Sequence, residues 1–303
     1  MGAVHTLLAV DTSYLYFRAF HGVPNVFTCP DGHPVNAVRG TCDSLTSLIG
    51  RHSPGRVVCA WDTDWRPSWR VALLPSYKAH RVGPDGGEQV EADLARQVPW
   101  IRRALTAVGL PVLGVEDHEA DDVLASLAAR HEGPVLVASG DRDLLQLVDE
   151  HTSVLDVGRS VAKHEVLTPD DVLRRHGVPP ERYVDHAVLR GDPSDGLPGV
   201  TGVGQKTAAA LVGQYESLEA ILAAADDPAS ALRPAVRRHL VEEADYVRRA
   251  AQVVRTVRTL EVPVPPHREP DRDAVEALTD ELGLGGSLRR LADALTATEQ
   301  VQG

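Results

Sequence analysis

The chain has 303 residues, of which 43% are apolar, and carries a formal net charge of −12. That length calls for a main domain with an accessory part around a sizeable core, and the acidic sum argues against a surface that is basic throughout. Three things set further limits: no apolar run nears the roughly 20 residues that span a bilayer, Met1-Gly2-Ala3-Val4-His5 lacks a signal peptide's basic start, and Cys29, Cys42 and Cys59 are too few and too scattered for a disulfide framework or a zinc knuckle, so the expectation is a cytoplasmic protein.

In chain order, strands are predicted at 5–10, 56–61, 111–115, 134–138 and 152–156, with helices at about 34–50, 91–108, 119–130 and 142–147. This alternation implies an α/β sheet with parallel pairing and crossover helices. Four of the apolar runs end in acid. The first meets Asp11 and the second Asp62; the third is followed by Glu119, Asp121 and Asp122, and the fourth by Asp141 and Asp143. Functional groups of an open parallel sheet gather beyond the carboxyl ends of its strands. Asp192 and Asp195 add a fifth cluster, and the nine acids account for most of the net charge.

Two carboxylates about 4 Å apart repel by roughly 4 kcal/mol at an effective dielectric near 20. Nine of them in one pocket therefore need divalent cations or bound protons. Each cluster has a plainer reading, because acids at a helix start cap it and suit its dipole. Recurrence at four strand ends favours a shared site instead. Oxygen ligands suit Mg²⁺ or Mn²⁺, and a pair of such ions can activate water and stabilise a leaving oxygen in phosphodiester hydrolysis.

Between the second and third strands, 65–84 holds no acid but contains Arg66, Arg70, Lys78 and Arg81, interleaved with Trp65, Trp69 and Tyr77. Gly83-Pro84-Asp85-Gly86-Gly87 breaks any helix there. Beyond about 165 the pattern is helical, at 169–176, 181–190, 205–214, 217–225 and a long stretch near 234–258. An extended linker is predicted at 262–270 and a terminal helical piece at 272–297. The expected division is a 1–165 core, a 166–261 helical region and a 262–303 tail. Within the helical region, Gly199, Gly202, Gly204 and Lys206 match neither a dinucleotide fingerprint nor a Walker loop. What remains is a helix, a glycine hairpin and a second helix, with backbone N–H groups and Lys206 suited to gripping phosphate without reading sequence.

Several motifs resemble the bacterial 5′-nuclease family in order: Tyr14 to His21 after Asp11, Ser76-Tyr77-Lys78-Ala79-His80-Arg81, Glu119-Ala120-Asp121-Asp122, Ser139 to Asp143, and Gly191 to Thr207. That family comprises 5′→3′ exonucleases and flap endonucleases, including the nuclease domain of DNA polymerase I. The likeness covers about 11–215 and lacks any polymerase part. It implies a PIN-like parallel sheet flanked by helices, followed by a helix-hairpin-helix region. By the same likeness Asp11, Asp62, Glu119, Asp121, Asp122, Asp141, Asp143, Asp192 and Asp195 are two-metal ligands, and Lys78 and Arg81, one helical turn apart, contact the scissile phosphate.

The resemblance also implies DNA contacts at Arg18, Arg70, Tyr77, Gly199, Gly202, Gly204, Lys206 and Thr207, and a helical arch over about 66–98 that admits a 5′ strand. It implies a monovalent cation such as K⁺ at the hairpin. The expected activity is metal-dependent cleavage of DNA with 5′ ends, flaps or branches, with RNA–DNA hybrids as further candidates, by a monomer in replication and repair. Two alternatives stay open here: a structure-specific DNA-binding protein with little turnover, and a PIN-like ribonuclease. The tail receives no role.

Overall fold

Strand β1 (Leu7–Asp11) lies at the centre of the sheet and is buried along its whole length. It pairs in parallel with β2 (Arg56–Ala60) on one side and β4 (Val135–Ser139) on the other. Outside these lie β3 (Val112–Leu113) and β5 (Thr152–Asp156), giving the order β3-β2-β1-β4-β5-β6. The last strand, β6 (Glu165–Leu167), is antiparallel to β5 and was not anticipated, since three residues carry too short a pattern. The computed structural model describes residues 5–84, 86–266 and 268–302, with side chains through 297; Met1 to Val4 and Asp85 of the glycine-rich breaker lie outside the described residues.

Successive strand residues point to opposite faces, and the two faces build separate cores. Leu7 and Ala9 pack with α5 (Ala120–Arg130), α7 (Tyr183–Arg190), α8 (Gln205–Gln214) and α11 (Ala244–Val254). Leu8 and Val10 pack with α2 (Asn36–His52), α4 (Ala92–Ala107), α12 (Arg272–Leu282) and α13 (Ser287–Gln302). The tail is thus a structural part of the second core. Leu288 and Leu291 are fully buried there, and Arg290 Nη2 donates to Asp43 Oδ1 at 2.7 Å.

Other elements depart from the sequence expectations in instructive ways. Helix α1 (Thr12–Gly22) starts directly at the end of β1, because the Asp11 side chain accepts from Tyr14 N at 2.9 Å and caps it. A short α3 (Ser68–Leu73) forms inside the expected arch. The 142–147 helix is a 3-10 turn, Asp143–Leu147. The 234–258 stretch breaks at Glu243 into α10 (Pro234–Glu242) and α11. Helices α6 (Pro169–His176) and α9 (Leu218–Asp226) lie close to their predicted bounds. Among the described residues no helix is long and apolar enough to cross a membrane.

Candidate active site

The strand order reverses between β1 and β4, and a crevice opens beyond such a reversal. Asp11 closes β1 there, with Oδ1 on Tyr14 N and Oδ2 accepting from Ser139 Oγ at 2.7 Å. Ser139 Oγ also accepts from Asp141 N at 3.0 Å, so one hydroxyl joins the ends of β1 and β4. Asp62, just past β2, accepts from Ala120 N at 2.7 Å and so meets the start of α5. Asp141 Oδ1 accepts from Asp143 N at 2.8 Å, while buried Asp143 Oδ1 has no partner.

The charges of these acids act on one another. Burial, then the Asp62 charge, pushes the Asp11 carboxyl up to about 7. Burial followed by Asp141 and Asp11 raises Asp121 well above the usual carboxylate range. Asp143 is raised likewise, by burial and then Asp141, and Asp141 by burial and then Asp195. Acids from four separate strand ends therefore share one field, as the sequence pattern requires. Uncompensated carboxylates, a buried orphan oxygen and an all-oxygen donor set fit hard divalent cations.

Basic side chains occupy the remaining acids, and among the described residues no three His, Cys, Asp or Glu side chains close into a ready metal cage. Glu119, 4% exposed, accepts from Arg70 Nη1 and Tyr77 Oη, each at 2.7 Å, and pairs with Lys78. Asp192 Oδ2 accepts from Arg142 at 2.9 Å and Arg190 at 3.3 Å. Asp195 Oδ1 accepts from Arg81 at 2.9 Å. Glu119 and Asp122 also form a capping box at α5, so the capping reading and the site reading are both true of them.

Four of the expected site residues point into the protein. Arg70 is 2% exposed and directs its donors to Glu119, Asp122 and Val253 O. Tyr77 is buried, with its hydroxyl turned to Glu119. Gly199 is buried too, and its N–H donates to Tyr246 Oη at 2.9 Å; a Cβ there would lie 2.5 Å from Arg190 C, so glycine serves a close chain crossing. Asp122 is fully buried on Arg70, with no oxygen facing the crevice acids. In each case the sequence shows the residue type but not the direction of the side chain.

Lys78 and Arg81 do lie together, though not on a helix. Lys78 takes a left-handed backbone, φ 48°, ahead of the 3-10 turn Ala79–Arg81. Its N–H donates to Asp195 O at 2.9 Å, which fastens this turn to the Asp192–Asp195 loop. The expected arch is α3, this turn, a loop bridged by Val82 and Glu88, and the start of α4. Further out, Gly202, Gly204 and Lys206 are exposed on the hairpin, and Thr207 Oγ1 accepts from Arg233. Arg18 is half-buried, donating to Gly158 O and Arg159 O.

The sequence reading missed Asp156, which ends β5 just as the other acids end or follow their strands. It lines a cavity of about 160 Å³ with Asp141, Arg142 and Arg175. The run Ser153-Val154-Leu155-Asp156 carried the same signal. His239 was also passed over, and it holds Thr201 O of the hairpin at 2.8 Å. No spacing pattern marked it.

Comparison with known proteins gives two family matches that divide the chain. Residues 6–177 match the 5′-3′ exonuclease N-terminal resolvase-like domain, and residues 178–273 match the 5′-3′ exonuclease C-terminal SAM fold. A 5′-3′ exonuclease of Streptomyces coelicolor is 46% identical, over 96% of this chain and 100% of its own. DNA polymerase I of Mycobacterium bovis is 36% identical over 96% of this chain, which spans 32% of that protein. The solved bacteriophage T5 flap endonuclease, in complex with DNA and metal ions, aligns with a TM-score of 0.65 at 19% identity, over 97% of this chain and 100% of its own.

Proposed function

The chain belongs to the 5′-3′ exonuclease family, and from that footing we propose that it hydrolyses phosphodiester bonds at the 5′ ends, flaps and branches of DNA with divalent cations as cofactor. The observation that carries this reading is the gathering of Asp11, Asp62, Asp121, Asp141 and Asp143 around the β1–β4 crevice, none of them ion-paired to a basic side chain among the described residues. These five would hold Mg²⁺ or Mn²⁺, joined by Glu119 as Lys78 turns to substrate and by Asp192 and Asp195 as Arg142, Arg190 and Arg81 do. Bound there, such ions supply charge neutralisation and an activated water for attack on phosphorus. The phage flap endonuclease of the same fold, solved with DNA and metal ions, fits this reading.

The chain's own part is positioning and charge. Lys78 and Arg81 exchange Glu119 and Asp195 for phosphoryl oxygens and balance the negative charge that builds as the bond breaks. Lys78 enters charged: burial works against its ammonium, but Tyr77, Glu119 and Asp195 hold its pKa well above the ordinary value. Exposed Gly202, Gly204 and Lys206 hold duplex backbone, with a monovalent cation such as K⁺ on the hairpin carbonyls. The products carry a 5′-phosphate and a 3′-hydroxyl. The working division is 1–165 for chemistry and 166–261 for duplex grip, in a monomer acting in the cytoplasm, with RNA–DNA hybrids as secondary substrates.

A labelled 5′-flap and a blunt duplex, each incubated with EDTA, Mg²⁺ or Mn²⁺ and sized on a gel, test the proposal. Cleavage in Mg²⁺ or Mn²⁺ and none in EDTA is expected. Tight flap binding without cleavage in either metal would replace it with the DNA-binding reading, and preferential cleavage of an RNA flap with the ribonuclease reading.

A further inference from the structure

The Arg70 guanidinium sits 2% exposed beneath the catalytic crevice. Its Nε donates to Val253 O at 3.0 Å. Its Nη1 donates to Glu119 Oε2 at 2.7 Å and Asp122 Oδ2 at 2.8 Å, and its Nη2 to Asp122 Oδ1 at 2.8 Å. Four of the five donors of a planar fork are thus directed, a pattern that a lysine ammonium on a flexible stem cannot reproduce.

Asp122 is fully buried and already satisfied. Oδ1 accepts from Arg70 and from Val257 N at 2.8 Å; Oδ2 accepts from Arg70 and from Glu119 N at 3.4 Å. Two bonds on each oxygen leave no lone pair for an ion. Glu119 in turn presents Oε2 to Arg70 and Tyr77 and Oε1 to Lys78. Two cations thus face two anions in a closed set, the arrangement that makes buried charge tolerable. Val253 lies in the last turn of α11 and Val257 just beyond that helix, so the same ion pair also clasps the helical half of the chain.

Resting on the nuclease reading, we infer that Arg70 is the positioning residue of this active site: it fixes Glu119, and through Glu119 the Lys78 ammonium, while Asp122 is its counter-ion and not a metal ligand. A phosphate contact would require Arg70 to leave three partners.

The test uses the whole protein and a 5′-flap DNA. Arg70→Lys should slow single-turnover cleavage at saturating DNA and metal tenfold or more. Its Kd for the flap in Ca²⁺, and the salt dependence of that Kd, should stay within twofold of wild type. Asp122→Asn should show the same pattern, with Mn²⁺ affinity and stoichiometry by calorimetry, in the absence of DNA, within twofold of wild type. Because Arg70 acts through Glu119, adding Arg70→Lys to Glu119→Gln should cost no further rate. A weakened Kd with a salt slope lower by about one would make Arg70 a phosphate contact instead. Loss of a Mn²⁺ ion in Asp122→Asn would restore Asp122 as a ligand. Rate losses that simply add, or a wild-type rate in Arg70→Lys, would equally overturn the inference. If Arg70→Lys does not fold, Asp122→Asn decides alone, and failure of the nuclease reading itself would appear separately, as wild type that does not cut.

Discussion

Asp11→Asn should make the metal-free protein more stable while destroying its activity. The substitution changes little but charge. Asparagine caps a helix about as well as aspartate, so the bond from Tyr14 N survives, and Ser139 Oγ can accept from the new amide. In the folded protein, burial and then Asp62 move the Asp11 carboxyl from 3.8 to about 7. A folded-state pKa above the unfolded value means that the folded state holds the proton more tightly. The stability linked to that proton is complete at low pH and is lost as pH rises through about 7. Such a displacement corresponds to a ceiling of about 4 kcal/mol at pH 8. Water entry and relaxation of the neighbouring acids reduce it, so a gain of about 1–3 kcal/mol is expected, or roughly 2–8 °C in Tm. Thermal melts in EDTA at pH 5 and pH 8, repeated with Mg²⁺, measure it. The variant should melt above wild type at pH 8, lose more than half of that advantage at pH 5, and gain less from Mg²⁺. A variant no more stable than wild type at pH 8 in EDTA would refute the claim that these carboxylates strain the metal-free fold.

Lys78→Ala should lower the single-turnover rate by about 10²-fold, the usual effect of removing one donor from developing charge, while Tm moves only a few degrees; an unchanged rate would remove Lys78 from the chemistry. Lys206→Ala should weaken duplex binding and reduce its salt slope by about one, with the cleavage rate at saturating DNA preserved. If the slope matched wild type, the hairpin would not be the grip. Gly196→Ala should cost both stability and activity, because the backbone there has φ +72° and a Cβ would lie 2.2 Å from Ser76 O. It would push the Lys78 turn away from the Asp195 loop, and a variant with wild-type melting and cleavage would show that this crossing can yield.

The order of apolar runs was enough to predict the parallel sheet, because side-chain period and crossover handedness leave few ways to bury such runs. The acids at the ends of those runs were legible for the same reason, since Asp11, Asp62 and Asp141 follow strands whose direction is fixed. Short elements were not legible. The three residues of β6 and the six of α3 carry too little periodicity, and their stability comes from neighbours distant in sequence.

Charge in a sequence has a sign but no direction. The acid-free run from Trp65 to Pro84 reads as one basic surface, yet Arg70 turns inward to Glu119 and Asp122 while Arg81 faces the crevice. The nine acids likewise look equivalent on paper. Folding divides them into five left facing one another and four neutralised by arginine or lysine, because a buried carboxylate must find a counter-charge or give up its own. The sequence by itself determined that acids from separate strands would converge; the tertiary structure alone decided which of them stay uncompensated, because that depends on which basic side chains can reach each carboxylate through a packed interior.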